Sequence, residues 1–219
     1  LSLEHSFSYR RHGRYFLSEK PGAQHRHLCF VLHGHGHLPQ YFLKKFTALQ
    51  RQDVLFVAPE GLHRYYLKGT SGRVGASWMT KENRLQDITD YCHLLDAVAQ
   101  EVYHLQPFER RLILGFSQGV ATACRWLVNS TFSFDALINW AGAFPPDLDY
   151  TKAYQDLKNV PVHLVLGKQD EFISQAQLEE HLQFIQAQNI SFETHLFEGG
   201  HSIPEATLSQ VLAKVLNAN

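Results

Sequence analysis

The chain has 219 residues, a formal charge of -1 and a sequence pI near 7.0. That length can bury a sizeable core in one domain, residues 1–219. The balanced charge shows neither the basic excess of a nucleic-acid binder nor an acidic solvating tail, and no apolar run approaches the roughly 20 residues of a membrane span.

The start of the chain, Leu1 to Arg14, is polar and mixed, unlike a secretory signal. Phe7–Arg10 and Arg14–Glu19 flank His12-Gly13 and predict an antiparallel hairpin at one sheet edge. Leu28–Leu32 is a continuous apolar strand that runs into His33-Gly34-His35-Gly36-His37. Pro39–Arg51 follows as a helix with Phe42, Phe46 and Leu49 on one face, and Val54–Ala58 is a buried strand closed by Pro59. Glu60–Ser77 has no clear period and reads as a long loop, of the kind that is usually functional.

Lys81–His104 is a long amphipathic helix with the stripe Leu85, Ile88, Cys92, Leu95, Ala99 and Val102. Leu112–Leu114 is a short apolar strand, followed by Gly115-Phe116-Ser117-Gln118-Gly119 and a helix over 118–129. Phe134–Ala141 and Pro161–Leu166 are further strands. Ser174 and Gln177 form a capping box that opens a helix to Gln188. Ile190–Phe197 is a strand, and Pro204 sits in the first turn of the last helix. Strands alternate with helices throughout, so the fold class is α/β, with a mostly parallel sheet and helices on both faces. Cys29, Cys92 and Cys124 are few, widely spaced and in apolar contexts. They read as buried thiols in a reducing compartment, which points to a cytoplasmic location. The fourteen histidines are mostly scattered and expected at the surface.

The segment around Ser117 carries the chemistry. A strand, a G-x-S-x-G turn and a helix make a nucleophile elbow: the serine stands in a strained conformation, and glycines flank it because bulky side chains would collide. A serine hydroxyl needs a base to take its proton and a carboxylate to orient that base. In a parallel sheet these belong just after strand ends. Asp170 follows Pro161–Leu166, and His201 follows Ile190–Phe197 behind two glycines. The order Ser117, Asp170, His201 is that of nucleophile-elbow hydrolases. Asp147, Asp149 and Glu171 are the alternative acids, and Asp170 alone follows a strand end at the expected place in chain order. The oxyanion donors are assigned to the backbone N–H groups of His35 and Gln118. The alternating His33, His35 and His37 lack a further ligand at zinc-site spacing, so no metal and no cofactor are expected.

Four blocks, Leu32–Gly36, Gly115–Gly119, Gly167–Asp170 and Glu198–Ile203, resemble the phospholipase/carboxylesterase family of α/β-hydrolases, which includes the acyl-protein thioesterases. The resemblance runs from about Leu28 to Leu216. It implies an open α/β-hydrolase fold acting on carboxylic esters or thioesters, and it supports Ser117, Asp170 and His201 as the triad. Three departures stand out. His37 occupies a position where the family carries Asp or Ser, and Met79-Thr80 follow Trp78 where an aromatic residue and an acid are common. The segment with Tyr65 and Tyr66 has no counterpart. In this fold caps are commonly inserted after the strand read as Phe134–Ala141, and Gly142–Asn159 is too short for one. The expected groove is therefore open, with walls from Trp78, Met79, Phe144, Phe172, Ile173 and Ile203. The expected activity is a serine carboxylesterase or thioesterase on short to medium acyl chains, working as a monomer or homodimer on a small-molecule substrate, with no nucleic acid and no integral membrane segment. The alternatives are a long-chain acyl-protein thioesterase or lysophospholipase, a serine peptidase on the same scaffold, and a non-catalytic binding protein that kept the fold.

Overall fold

The computed structural model describes residues 2–49 and 51–217. A seven-stranded sheet runs in the order β1-β3-β2-β6-β7-β8-β9. Its strands are β1 (Tyr15–Leu17), β2 (His27–Leu32), β3 (Val54–Pro59), β6 (Arg110–Phe116), β7 (Ala136–Trp140), β8 (Val162–Gly167) and β9 (Phe192–Phe197). All neighbours pair in parallel except β1, which runs antiparallel to β3. Two further strands, β4 (His63–Tyr66) and β5 (Val74–Ser77), form a separate hairpin.

The continuous apolar runs have a direct cause. Side chains alternate across a strand, and here both faces are covered. On β2, Leu28, Phe30 and Leu32 enter one core with helices α3 (Arg84–Tyr103), α4 (Gln118–Asn129), α5 (Tyr150–Leu157) and α6 (Gln175–Ala187). Cys29 and Val31 enter the other, with α1 (Pro39–Phe42), α2 (Lys44–Thr47) and α7 (Glu205–Asn217). The three cysteines are free and buried, and burial pushes Cys92 and Cys124 up to about 12, so these thiols stay protonated. Among the described residues no helix is long and apolar enough to cross a membrane.

Several expectations change. Phe7–Arg10 is not a strand. Phe7 and Tyr9 stand 86% and 71% exposed, with no core to bury them. Instead β1 pairs with β3, and Arg14 locks the junction by bonding the buried carboxylate of Glu60 at 2.5 Å. The helix expected over Pro39–Arg51 is two single turns hinged at Leu43; Arg51 leaves it for a paired bridge to Asp53. Phe42 and Phe46 are buried as expected. Glu60–Ser77 is the β4–β5 hairpin and not an irregular loop. Leu85, in the first turn of α3, is 71% exposed beside a groove, while Tyr91 and Val98 complete the buried stripe. The histidines are not all superficial: His25, His27, His33 and His163 are buried.

Candidate active site

After β2 the chain turns to β3 on one side and later returns to β6 on the other. A crevice therefore opens between the carboxyl ends of β2 and β6, where parallel sheets gather their ligands. The Leu32–Gly36 turn and Ser117 flank it.

Ser117 sits between β6 and α4 at φ 55°, ψ -117°, a conformation that costs a non-glycine residue about 1–3 kcal/mol. The packing leaves no slack around it. A Cβ on Gly115 would lie 2.3 Å from the Gly119 carbonyl oxygen, and one on Gly119 would lie 2.2 Å from that of Leu32. The Ser117 side chain caps nothing in α4. Among the described residues, the amides of His35 and Gln118 bond no acceptor, although their neighbour Gly36 donates to the Ala76 carbonyl at 2.8 Å. The N-terminal end of α4 adds its dipole to the same spot.

The structure brings Asp170 and His201 together. Lys168 and Gln169 donate backbone N–H groups to the Phe197 and Gly199 carbonyls, which knits the turn after β8 to the turn after β9. The approach needs Gly167, where a Cβ would meet the Gly199 oxygen at 2.3 Å, and Gly199 itself, which has φ 150°. His201 Nδ1 donates to Asp170 Oδ2 at 2.8 Å, and Asp170 Oδ1 accepts from the Phe172 amide at 2.9 Å. The His201 ring lies between Phe116, the residue before Ser117, at 4.9 Å and Phe172 at 4.7 Å. The other acids are engaged elsewhere: Asp147 pairs with Arg84 and Arg125, and Asp149 caps α5. Glu171 accepts the backbone N–H of His201 and supports the turn, not the ring.

The histidine-rich turn is a clamp. His33 Nδ1 donates to the Gly34 carbonyl at 2.8 Å, its Nε2 accepts from the Gly61 amide at 3.0 Å, and burial lowers its pKa to about 4. His35 Nε2 meets the Tyr65 hydroxyl at 2.6 Å and its Nδ1 meets Ser77 Oγ at 3.3 Å. His37 stacks on Phe116 and Phe42. The β4–β5 hairpin thus grips the turn through Tyr65, Ser77 and the His37–Ala76 bridge. The sequence hinted at this only through the repeated glycines and the Tyr65-Tyr66 pair.

A cleft of about 190 Å³ lies between Gly142-Ala143, Leu166, Phe172-Ile173 and the first turns of α6, with Gln177, Leu178 and His181 on its wall. A Cβ on Gly142 would lie 2.6 Å from the Ser117 carbonyl oxygen, so the cleft begins beside the elbow. Phe172 and Ile173 line it. Trp78, Phe144 and Ile203 do not: they are 0%, 2% and 7% exposed. Trp78 is a bracket, its indole N–H donating to the His33 carbonyl at 2.8 Å and its amide to Gln118 Oε1 at 3.1 Å. Phe144 donates its amide to His181 Nε2 at 3.2 Å, and Ile203 packs in the α7 core. Met79 is half-buried against the α3–α4 core, where its carbonyl accepts from Gln118 Nε2 at 2.9 Å. Between β7 and β8 the chain holds only α5, so no cap covers the cleft.

The sequence model of the family described as Serine hydrolase (FSH1) matches residues 23–211. A curated relative, Esterase OVCA2 of Xenopus tropicalis, is 35% identical over 115 residues, covering 50% of this chain and 47% of that protein, so the match spans about half the relative's length. Among solved structures, esterase PE8 superposes with a TM-score of 0.68 at 21% identity, covering 93% of this chain and 98% of that one. Acyl-protein thioesterase 2 of Zea mays gives 0.68 at 17%, covering 94% and 100%. A phospholipase/carboxylesterase of Dyadobacter fermentans gives 0.68 at 18%, covering 96% and 99%. At these identities the likeness is one of fold, the cap-less α/β-hydrolase fold that the four sequence blocks implied.

Proposed function

The chain belongs to the FSH1 serine hydrolase family, and from that premise we propose that it hydrolyses carboxylic esters of short to medium acyl chains through an acyl-enzyme on Ser117. His201 Nε2 takes the Ser117 proton as Oγ attacks the acyl carbonyl carbon. The carbonyl oxygen becomes an oxyanion between the amides of His35 and Gln118. Asp170 keeps the His201 proton on Nδ1 and stabilises the imidazolium. His201 then gives its proton to the leaving alkoxide or thiolate. Water repeats the sequence on the acyl-enzyme, releasing the acid and restoring Ser117. No cofactor enters these steps.

The observation that carries this reading is the strained Ser117, packed against Gly34 of the histidine-rich turn, where a Cβ would lie 3.2 Å from Ser117 Cβ, and following Phe116, whose ring contacts His201. Such strain persists where the surrounding packing over-determines it, and it clusters at active sites. The cleft beside it falls below the roughly 300–1,000 Å³ of a drug-sized ligand site, which suits a short acyl chain.

The test is labelling with a fluorophosphonate probe, combined with Ser117→Ala. The expected result is labelling at Ser117 alone, no labelling of the variant, and esterase turnover lowered by ~10⁴ or more in a folded protein. An unlabelled wild-type chain would favour a binding protein on a hydrolase scaffold, and near-normal turnover in Ser117→Ala would remove the elbow from the mechanism.

A further inference from the structure

The first half of β8 and the facing middle of β9 carry a second cluster of reactive side chains, away from the carboxyl ends of the strands where Ser117 lies. His163 on β8 stands opposite Glu193 on β9, and His195 follows two residues later on the same face. His163 Nδ1 lies 3.0 Å from His195 Nε2. The Glu193 carboxylate straddles the pair, with Oε2 3.9 Å from His163 Nδ1 and Oε1 3.9 Å from His195 Nε2. The three ligand atoms all fall within 4.8 Å of one another.

Metal–nitrogen bonds of about 2.0–2.1 Å in a tetrahedral site set neighbouring donor atoms roughly 3.3–3.4 Å apart. The observed spacings bracket that value, so small side-chain rotations complete three corners. Glu193 is 43% exposed and leaves the fourth corner to solvent. We propose that His163, Glu193 and His195 bind a divalent ion of the zinc class, which staples β9 to β8. Two imidazoles and one carboxylate suit zinc, nickel or copper better than calcium or magnesium, which prefer all-oxygen shells. The two imidazoles share a hydrogen bond, so one of the facing nitrogens carries a proton; as the ion binds, that proton passes through solvent to the other nitrogen of the same ring, and both facing lone pairs turn to the metal. Lys214 of α7 pairs with the Glu193 carboxylate, so an incoming ion takes its place. Arg110 is the other cation that acts on His163.

The staple has a structural purpose. Among the described residues β9 is the edge strand and pairs with β8, and the turns after these two strands carry Asp170 and His201. His163 lies four residues before Gly167, roughly 13 Å along the strand, too far for the ion to touch the ester chemistry.

The experiment is titration of zinc chloride into the chelator-stripped chain, followed by calorimetry and thermal unfolding. The expected result is one ion per chain and a Tm raised by roughly 5–10 °C at zinc 100 times above Kd, with ester turnover at 25 °C indifferent to EDTA. His195→Gln and Glu193→Gln should each weaken binding ~10-fold or more, while Lys214→Met should strengthen it by removing the competing cation. Cobalt(II) should show tetrahedral visible bands that are lost in His195→Gln. No bound zinc at 100 μM would overturn the proposal. So would binding that survives in a folded His163→Gln/His195→Gln double variant, which would move the ion to other histidines such as His5 and His12. Ester turnover is read separately, so these outcomes do not depend on the hydrolase mechanism.

Discussion

His33 makes the fold acid-sensitive in a way that can be measured residue by residue. The ring is fully buried, stacks on Trp78 and uses both nitrogens on backbone partners. Nε2 accepts from the Gly61 amide, so a second ring proton would point a donor at a donor. Burial is the main cause that lowers the pKa from 6.5 to about 4. Below pH 6.5 the unfolded chain binds a proton here that the folded chain refuses. The stability His33 confers is therefore complete above pH 6.5 and is lost as pH falls from there toward 4. Linkage gives a loss of about 2 kcal/mol between pH 7.5 and pH 5 from this one residue. His163, also lowered to about 4, pushes in the same direction, so the wild-type slope alone does not isolate His33. The assay is urea unfolding at both pH values for the wild type and for His33→Asn, which cannot titrate. The variant should start less stable at pH 7.5 and lose about 2 kcal/mol less on acidification. An equal pH-dependent loss in the two proteins would refute the argument and show that the His33 site admits a proton in the folded state.

Tyr65→Phe removes the 2.6 Å contact that steadies the His35 ring. Because the oxyanion forms only in the transition state, kcat should fall roughly 10-fold with KM unchanged. An unchanged kcat would show that the Ser77 contact and the backbone pairing of Gly36 and His37 with Ala76 hold the turn without Tyr65. Along a series of p-nitrophenyl esters, each methylene that fits the cleft beside Phe172, Ile173 and Leu178 should add up to ~0.8 kcal/mol, after which kcat/KM levels or falls. A steady rise out to palmitoyl, measured below micelle concentrations, would show a deeper acyl tunnel and favour a long-chain thioesterase or lysophospholipase.

The elements legible in the sequence are those whose cause is local. Buried parallel strands read as apolar runs because both faces are covered, so β2, β3, β6, β7 and β8 announced themselves. The elbow was legible because the backbone at Gly115 and Gly119 leaves no room for a Cβ, and the loops of Asp170 and His201 were legible because they follow strand ends. What escaped depends on partners distant in the chain. β1 exists because the β3 edge lay open to it, while Phe7 and Tyr9 pack only loosely on each other and stay exposed. The β4–β5 hairpin was hidden because Val74–Ser77 is built of small residues without clear alternation, and its register is set by pairing across the turn. The exposure of an aromatic is likewise a tertiary fact. Trp78 sinks into the core because the His33 carbonyl accepts its indole proton there, whereas Phe172, held by its own amide on Asp170 in the turn after β8, stays 68% exposed against the His201 ring.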